Sequence, residues 1–260
     1  MVFAFYIVLG LGAGFLSGLL GVGGGVIIVP ALLWLFHYQA LPLARLISLA
    51  AGTSCAIMVI TTSRSLFARK HHFPAAASVY KKLVVSIILG ALIGSMVSHY
   101  IHPVALQIIF AMLMLILACS LLLPNKFNLL SLYTMKSYHI SGVFIGCLSS
   151  MLGIGGSSLT VPFLFNRGEC LRSSTLVALA LSASLAPVAA IVYMIMGWSK
   201  VTLPWCTGYV YWPAVLCVGL GAVIAAPAGV RYAQKIPTAL LRKYFAVLMV
   251  IIAMHLIISV

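Results

Sequence analysis

The chain contains no aspartate and a single glutamate, Glu169, among its 260 residues. Proton- and cation-coupled carriers usually place acidic side chains inside the membrane, so this scarcity argues against cation binding by carboxylates. Polar sequence is scarce as well, since 64% of the residues are hydrophobic, 6% are charged and the mean hydropathy is +1.23. This composition excludes a water-soluble globular domain and predicts that most of the chain lies in lipid.

Patterns that bind metals or support catalysis are also missing. The six cysteines are scattered through apolar sequence, with no C-x-x-C pair and no histidine at zinc-ligand spacing, so neither a metal nor a cofactor is predicted. Most of them fit the role of small buried hydrophobic residues. Cys55 has an alternative role, because its neighbour Ser54 belongs to a repeated polar cluster and a thiol there could meet a sulfur-containing substrate. An intramembrane hydrolase needs a nucleophile with a positioned base, and no serine–histidine spacing repeats or lies mid-span. We therefore expect no enzyme.

Long apolar runs dominate what remains. A helix needs ~20 residues to cross ~30 Å of hydrocarbon, and eight runs come near or exceed that length. The first contains no lysine or arginine and is too long for a signal peptide, so it is expected to be retained. The sequence predicts an all-α polytopic membrane protein with segments at 2–36, 43–63, 83–101, 104–123, 139–166, 173–196, 210–230 and 238–260.

The two halves of the chain repeat one another. Gly14–Pro30 (GFLSGLLGVGGGVIIVP) recurs as Gly146–Pro162 (GCLSSMLGIGGSSLTVP), and Leu46–Ala56 resembles Leu176–Ala186. Doubling of this kind is common in secondary transporters, which rock two similar halves around a site between them. The predicted organisation is a first membrane repeat at 1–125, a cytoplasmic linker at 126–138 and a second membrane repeat at 139–260.

The cations predict how the segments cross. Fifteen lysines and arginines give a net charge of +14, and they concentrate near the ends of the apolar runs, where they indicate topology. The connection after segment two holds five of them and is assigned to the cytoplasm. A fully crossing fifth segment would put six later cations outside: Arg167, Arg172, Arg231, Lys235, Arg242 and Lys243.

A fifth segment that enters and leaves on the cytoplasmic side keeps those six cations inside. Its two pieces, expected near His139–Leu152 and Leu159–Asn166, are each about half a bilayer long. By the repeat, the first segment would be re-entrant from the outside. Each half then has three full spans, and the halves are inverted. The competing possibility is Val2–Leu20, which is long enough to cross alone.

The glycine breaks at 21–25 and 153–158 are the candidate site. Irregular backbone within the membrane has to be buried in protein or line a wet cavity. Where a helix restarts, its first N–H groups are unpaired and its dipole end is positive, which favours an anion. Half-helices are expected to restart at Val26 and Ser158. The candidate substrate-binding residues are Ser17, Gly21, Gly23, Gly24, Gly25, Thr53, Ser54, Ser149, Gly153, Gly155, Gly156, Ser157, Ser158 and Ser184.

Each serine in this set has a structural alternative, which is back-bonding to a helix carbonyl or small-residue packing. Gly10, Gly14 and Gly18 likewise form a stripe that favours helix packing. A non-transporting membrane component of a larger complex is the alternative function, but it leaves the two matched breaks unexplained.

The glycine motif of Gly14–Pro30, its copy at Gly146–Pro162 and the sequence Ala51-Gly-Thr-Ser54 resemble the sulfite exporter TauE/SafE family. The resemblance covers almost the whole chain, and the second copy departs from the glycine pattern at Ser157 and Ser158. It implies a bacterial plasma-membrane permease of a family associated with sulfite, sulfonates and related anions.

Together these observations predict a multi-pass transporter that moves a small anion by alternating access. The expected partners are that anion and membrane lipid. No nucleic acid is expected, because the cations are explained by topology. Small-residue stripes permit a homo-oligomer without specifying one.

Overall fold

The computed structural model of the protein describes residues 2–20, 24–39, 46–68, 77–122, 137–201, 203–233 and 238–258. Helices account for most of these ranges. They are α1 Val2–Leu20, α2 Gly25–Tyr38, α3 Leu46–Ala68, α4 Ala77–Tyr100, α5 Pro103–Leu122, α6 Tyr138–Met151, α7 Ser157–Asn166, α8 Leu171–Gly197, α9 Trp212–Ala233 and α10 Thr238–Ile258.

The sequence predicts eight apolar runs, and the glycine breaks divide two of them. The first run forms α1 and α2, and the fifth forms α6 and α7. Four of the described helices, α3, α4, α8 and α9, are long and apolar enough to cross a membrane. Several cations that were assigned to loops instead lie within helices: Arg64 is in α3, and Lys81 and Lys82 are in α4. Helices continue past the apolar runs because lysine and arginine are good helix formers whose charged ends reach the membrane interface.

The packing of the helices follows the sequence repeat. Helix α1 packs mainly on α9, and α6 packs in the same way on α4. Gly14 of α1 lies against the backbone of Ala222, and its repeat equivalent Gly146 lies against the backbone of Ile87. A Cβ atom at either glycine would clash with that backbone, so the small-residue stripe is used for close helix packing, as expected. Each broken segment therefore packs against a helix of the other repeat.

Helices α3 and α8 form the centre of the molecule. They contact each other, and each also contacts the break-bearing segments. Gly52 near the start of α3 packs on Tyr193 near the end of α8. The middle of α3 and the middle of α8 both reach the second glycine break, through Met58 and Ser182 respectively. The two helices therefore run in opposite directions past one another.

A small β-hairpin departs from the predicted all-helical fold. Strands β1 Cys206–Thr207 and β2 Val210–Tyr211 pair in antiparallel fashion in the connection between α8 and α9. Gly208 takes φ +58 in the turn, a left-handed conformation that glycine adopts without strain. The hairpin packs on the helices, because Gly208 lies against the Met194 carbonyl and Val210 is fully buried.

Candidate functional site

Both glycine motifs interrupt a helix. Helix α1 ends at Leu20 and α2 begins at Gly25, while α6 ends at Met151 and α7 begins at Ser157. The restarts were expected at Val26 and Ser158 and occur one residue earlier, which is within the usual uncertainty of a helix boundary. The candidate residues Gly21 and Gly23 lie outside the described residues.

The two breaks meet each other inside the protein. Gly25, at the start of α2, lies against the carbonyl groups of Gly153 and Ile154 in the second break. Gly153 and Gly155 have φ of +66 and +79, so the second break is built on two left-handed residues. A side chain at Gly25 would push the two breaks apart, and side chains at the other two glycines would strain the backbone. These glycines are required by the contact between the repeats.

Groups from α3 and α8 hold the second break in place. The Ser54 hydroxyl donates a buried hydrogen bond of 2.9 Å to the Gly153 carbonyl. The Tyr193 hydroxyl donates to the carbonyls of Ser150 and Met151, at 3.1 and 2.9 Å, where α6 ends. The last carbonyls of a helix lack partners within the helix, so Tyr193 satisfies the buried end of α6 and Ser54 satisfies a carbonyl of the break itself.

Several candidate hydroxyls have structural partners instead of facing the break. Ser158 donates to the Gly155 carbonyl at 3.2 Å, which is the local back-bonding alternative. Ser184 donates to the Ala180 carbonyl, and its oxygen also lies 2.8 Å from the hydroxyl of Tyr80 on α4. Thr53 accepts a hydrogen bond of 3.1 Å from the backbone N–H of Tyr211 and so holds the hairpin.

The remaining candidates lie at the breaks themselves. Ser17 is close to the first break, with its hydroxyl 3.5 Å from where a Cβ atom of Gly24 would lie. Ser157 is buried at the start of α7, directly after Gly156. The Ser149 hydroxyl is fully buried and finds no hydrogen-bond partner in the described part of the chain.

Sequence reasoning missed two hydroxyls beside the second break, those of Thr160 and Ser182. They lie 3.7 and 3.5 Å from where a Cβ atom of Gly156 would be. The Thr160 hydroxyl is fully buried and, like that of Ser149, has no partner among the described residues. The signal that could have identified both is a polar residue where the first repeat has an apolar one, since their equivalents are Ile28 and Gly52.

In each broken segment, a residue just after the second helix contacts a tyrosine near the start of the first helix. In the first repeat, the Gln39 amide after α2 donates to the Tyr6 hydroxyl of α1 at 2.7 Å. In the second, the Arg167 guanidinium after α7 lies 4.2 Å from the ring centroid of Tyr138, the first residue of α6. Tyr6 and Tyr138 are repeat equivalents, because both precede their motif by eight residues. Sequence reasoning did not identify this pair.

Charge differs between these two ends. Lys82 of α4 also lies over the Tyr138 ring, at 5.7 Å, so that end of the second segment carries two cations. At the equivalent end, Tyr6 packs on the ring of Tyr211 at 6.0 Å, and Tyr211 packs in turn on Phe36. Within the described residues, no group of three histidine, cysteine or acidic side chains is arranged to hold a metal ion.

The chain resembles known membrane proteins over its whole length. The family described as "Sulfite exporter TauE/SafE" matches residues 6–256. A "Probable membrane transporter protein" of Haemophilus influenzae is 32% identical over 94% of both chains. Proteins of the same description from Methanocaldococcus jannaschii and Bacillus subtilis are each 26% identical, over 88% and 99% of this chain and 86% and 98% of their own. No solved structure matches.

These relatives and the apolar helices indicate an integral, multi-pass membrane transporter. The family resemblance inferred from the glycine motifs is thus confirmed, because the family model matches both repeats. The chain belongs to the sulfite exporter TauE/SafE family.

Proposed function

We propose that this transporter moves a small anion by alternating access, with the binding site where the two glycine breaks meet. The observation that carries the proposal is the contact of Gly25 with the carbonyls of Gly153 and Ile154. It occurs beside Ser54 and Met58 in the middle of α3 and beside Ser182 in the middle of α8. Irregular backbone at mid-span, between two repeats, is the usual position of a substrate site in carriers.

Inverted repeats are part of the proposal, and the direction of the helices supports them. Helices α3 and α8 are repeat equivalents that run in opposite directions. Helices α5 and α10 are also repeat equivalents, because Pro103-Val-Ala-Leu106 resembles Pro237-Thr-Ala-Leu240. They too run in opposite directions, since the Gln107 amide near the start of α5 donates to the Leu256 carbonyl near the end of α10, at 2.8 Å. When equivalent helices oppose each other, the two-fold axis that relates the repeats lies in the plane of the membrane.

Two re-entrant segments are supported by the contacts at their ends. Arg167 reaches Tyr138 and Gln39 reaches Tyr6, so each broken segment begins and ends at the same level of the molecule. The cations at the Tyr138 end agree with a cytoplasmic position for it. Among the described residues no cation is recorded over the Tyr6 ring, which agrees with the opposite side. We propose the bacterial inner membrane as the location, as the resemblance to the family implies.

An anionic substrate is favoured by the chemistry of the breaks. Helices α2 and α7 begin there, so the positive ends of their dipoles lie at the junction, which favours an anion. The chain has one acidic residue in total, Glu169, which lies beyond the end of α7 and away from the junction. The family description names sulfite, and we propose sulfite, a sulfonate or a related sulfur-containing or organic anion as the substrate.

Flux through proteoliposomes tests the proposal. Purified protein is reconstituted, and uptake of radiolabelled sulfite, a small sulfonate and acetate is compared with that of protein-free liposomes. We expect saturable uptake of at least one of the sulfur-containing anions and its loss in Gly25→Leu, which separates the two breaks. Absence of flux for every anion would overturn the proposal.

A further inference from the structure

We propose that the anion is held by the second break alone, in a cradle formed by Gly156, Thr160 and Ser182, with the Thr160 hydroxyl as its donor. This inference rests on the proposed function and assigns the site to one repeat. It adds two residues, Thr160 and Ser182, that the repeated motifs did not indicate. The first break then has a different task, which is to cover the bound anion with apolar surface.

The cradle is the space beside Gly156 at the start of α7, bounded by three side chains. A Cβ atom on Gly156 would lie 3.5 Å from the Ser182 hydroxyl, 3.7 Å from that of Thr160 and 3.9 Å from a methyl group of Leu185. These are ordinary contact distances, so the space beside Gly156 takes about one methyl group next to two hydroxyl groups, and it has to widen when an anion binds. Gly156 is also the N-cap of α7, a helix of ten residues whose positive dipole end points the same way.

The Thr160 hydroxyl is the observation that points to a ligand. It is fully buried and has no hydrogen-bond partner among the described residues. Buried polar groups are nearly always paired, so an unpaired donor at a helix N-terminus indicates a position that an acceptor fills. Ser182 differs, since its hydroxyl already donates to the Ala178 carbonyl at 2.9 Å and has to rotate to serve a ligand.

The first repeat does not contain this cradle. The equivalents of Thr160 and Ser182 are Ile28 and Gly52, which offer no hydroxyl. The end of the Ile28 side chain lies 3.1 Å from where a Cβ atom of Gly24 would be, so it occupies the corresponding space. Gly52 is packed against Tyr193 and the Tyr209 carbonyl. A substrate with a charged oxygen-bearing end and a small apolar remainder fits this asymmetry, oxygens toward α7 and the remainder toward α2.

Substitution of Thr160 tests the inference. Thr160→Val keeps the shape of the side chain and removes the hydroxyl, while Thr160→Ser keeps the hydroxyl. We expect Thr160→Val to weaken binding of sulfite and of methanesulfonate about tenfold or more, the usual effect of losing a hydrogen bond to a charged group. Thr160→Ser should bind within a few-fold of the natural protein, and Ser182→Ala should have the smaller effect of the two cradle variants.

Two controls match these variants. Ile28→Val alters the equivalent position of the other repeat, and Ser174→Ala removes another buried hydroxyl that has no partner among the described residues. Ser174 lies eight residues before Ser182, about 12 Å along α8. Binding is measured on purified protein in detergent, and thermal unfolding without anion shows whether each variant is folded. Ser174→Ala should bind normally. Ile28→Val keeps an apolar side chain at the first break and should bind within a few-fold of the natural protein.

The outcomes separate this inference from the proposed function. If Thr160→Val binds both anions as tightly as the natural protein, the cradle is wrong while anion binding itself stands. If Ile28→Val weakens binding as much as Thr160→Val, both breaks hold the anion and the one-sided site is wrong. If the natural protein binds neither these anions nor acetate, the proposed function and the cradle both fail.

Discussion

Hydroxyl groups in the membrane-embedded part of this chain serve two different purposes. Ser95, Ser158 and Ser184 donate to carbonyls three or four residues earlier, which satisfies the hydroxyl within its own helix or turn. Ser54 instead reaches across to Gly153, in the other repeat. Sequence alone does not distinguish these uses, because the rotamer and the neighbouring helix decide between them. The same limit explains why Ser184 was selected and Thr160 was not.

Loss of the Ser54 hydroxyl is expected to weaken the second break. Ser54→Ala leaves the buried Gly153 carbonyl without this donor, which costs about 1–3 kcal/mol. Ser95→Ala is the matched control, because Ser95 is equally buried but bonds only within α4. We expect a lower unfolding temperature and slower anion flux for Ser54→Ala alone. Equal effects of the two substitutions would show that the contact between the repeats adds nothing.

Gly155 is expected to tolerate no side chain. An alanine there keeps the left-handed conformation at a cost of about 1–2 kcal/mol, and its Cβ atom would lie 2.5 Å from the Met58 sulfur. Gly12 is the control, since no described atom outside its own helix lies within 4 Å and alanine favours a helix by up to about 1 kcal/mol. Thermal unfolding in detergent should fall for Gly155→Ala and not for Gly12→Ala. A Gly155→Ala protein as stable as the natural one would contradict the strained turn.

At the scale of elements, the hairpin between α8 and α9 is the least expected feature. The helices followed from apolar runs and the breaks from clustered glycines, but two-residue strands leave almost no pattern in the sequence. The hairpin forms because it packs and hydrogen-bonds on the ends of α3 and α8. Gly197 and Gly208 allow close backbone contact, the Tyr209 N–H donates to the Tyr193 carbonyl at 3.1 Å, and Thr53 holds Tyr211. These partners come from distant parts of the chain and are invisible to local sequence patterns.

The reactivity of the Cys206 thiol reports whether the hairpin is packed on the helices. Burial raises the pKa of the Cys206 thiol to about 11, so little thiolate is present near neutral pH. Its reaction with a maleimide should be at least tenfold slower at pH 8 than that of an ordinary exposed thiol. The rate should rise with pH until about 11, since the thiolate is the reactive form. A rate that levels off near pH 9 would contradict the buried position.

Gly208→Ala should release the hairpin. The added Cβ atom clashes with the Met194 carbonyl, and the left-handed conformation at this position is unfavourable for alanine. The hairpin should therefore move away from α8, and Cys206 should react several-fold faster at pH 8. Gly168→Ala is the control, because Gly168 is also left-handed at φ +86 but no described neighbour lies within 4 Å. Unchanged Cys206 reactivity in Gly208→Ala would show that the hairpin does not depend on this contact.

At the scale of the whole molecule, the sequence shows the repeat. It does not show that each broken segment packs on a helix of the other repeat. The offset of 132 residues between Gly14 and Gly146 identifies the duplication directly. Nothing in either motif shows that α1 packs on α9 and α6 on α4, because a glycine stripe fits any closely approaching helix. The distribution of cations in the sequence also favoured re-entrant segments. The contact between Tyr138 and Arg167 agrees with this, because it brings the beginning and the end of the second broken segment together.

Two native cysteines test the proposed orientation of α8, and with it that of the second repeat. Cys170 is exposed just before α8, on the side proposed to be cytoplasmic, and Cys206 lies at the opposite end of that helix. Each is retained alone and labelled with a membrane-impermeant maleimide in vesicles of both orientations, at raised pH for Cys206. We expect Cys170 to react only from the cytoplasmic side and Cys206 only from the other. Labelling of both from one side would rule out a membrane-spanning α8, and reversed sides would rule out the proposed orientation.

The packing of α1 on α9 also determines the order in which the protein can be completed. Helix α1 is synthesised first, but the backbone that receives Gly10, Gly14 and Gly18 belongs to Val218, Ala222 and Ala226, about two hundred residues later. Domains generally fold from the N-terminus as synthesis proceeds. Here the first helix has to wait in the bilayer, without its partner, until nearly the whole chain has been inserted. A ribosome that stops before α9 therefore leaves a membrane protein whose first helix lacks its main packing surface.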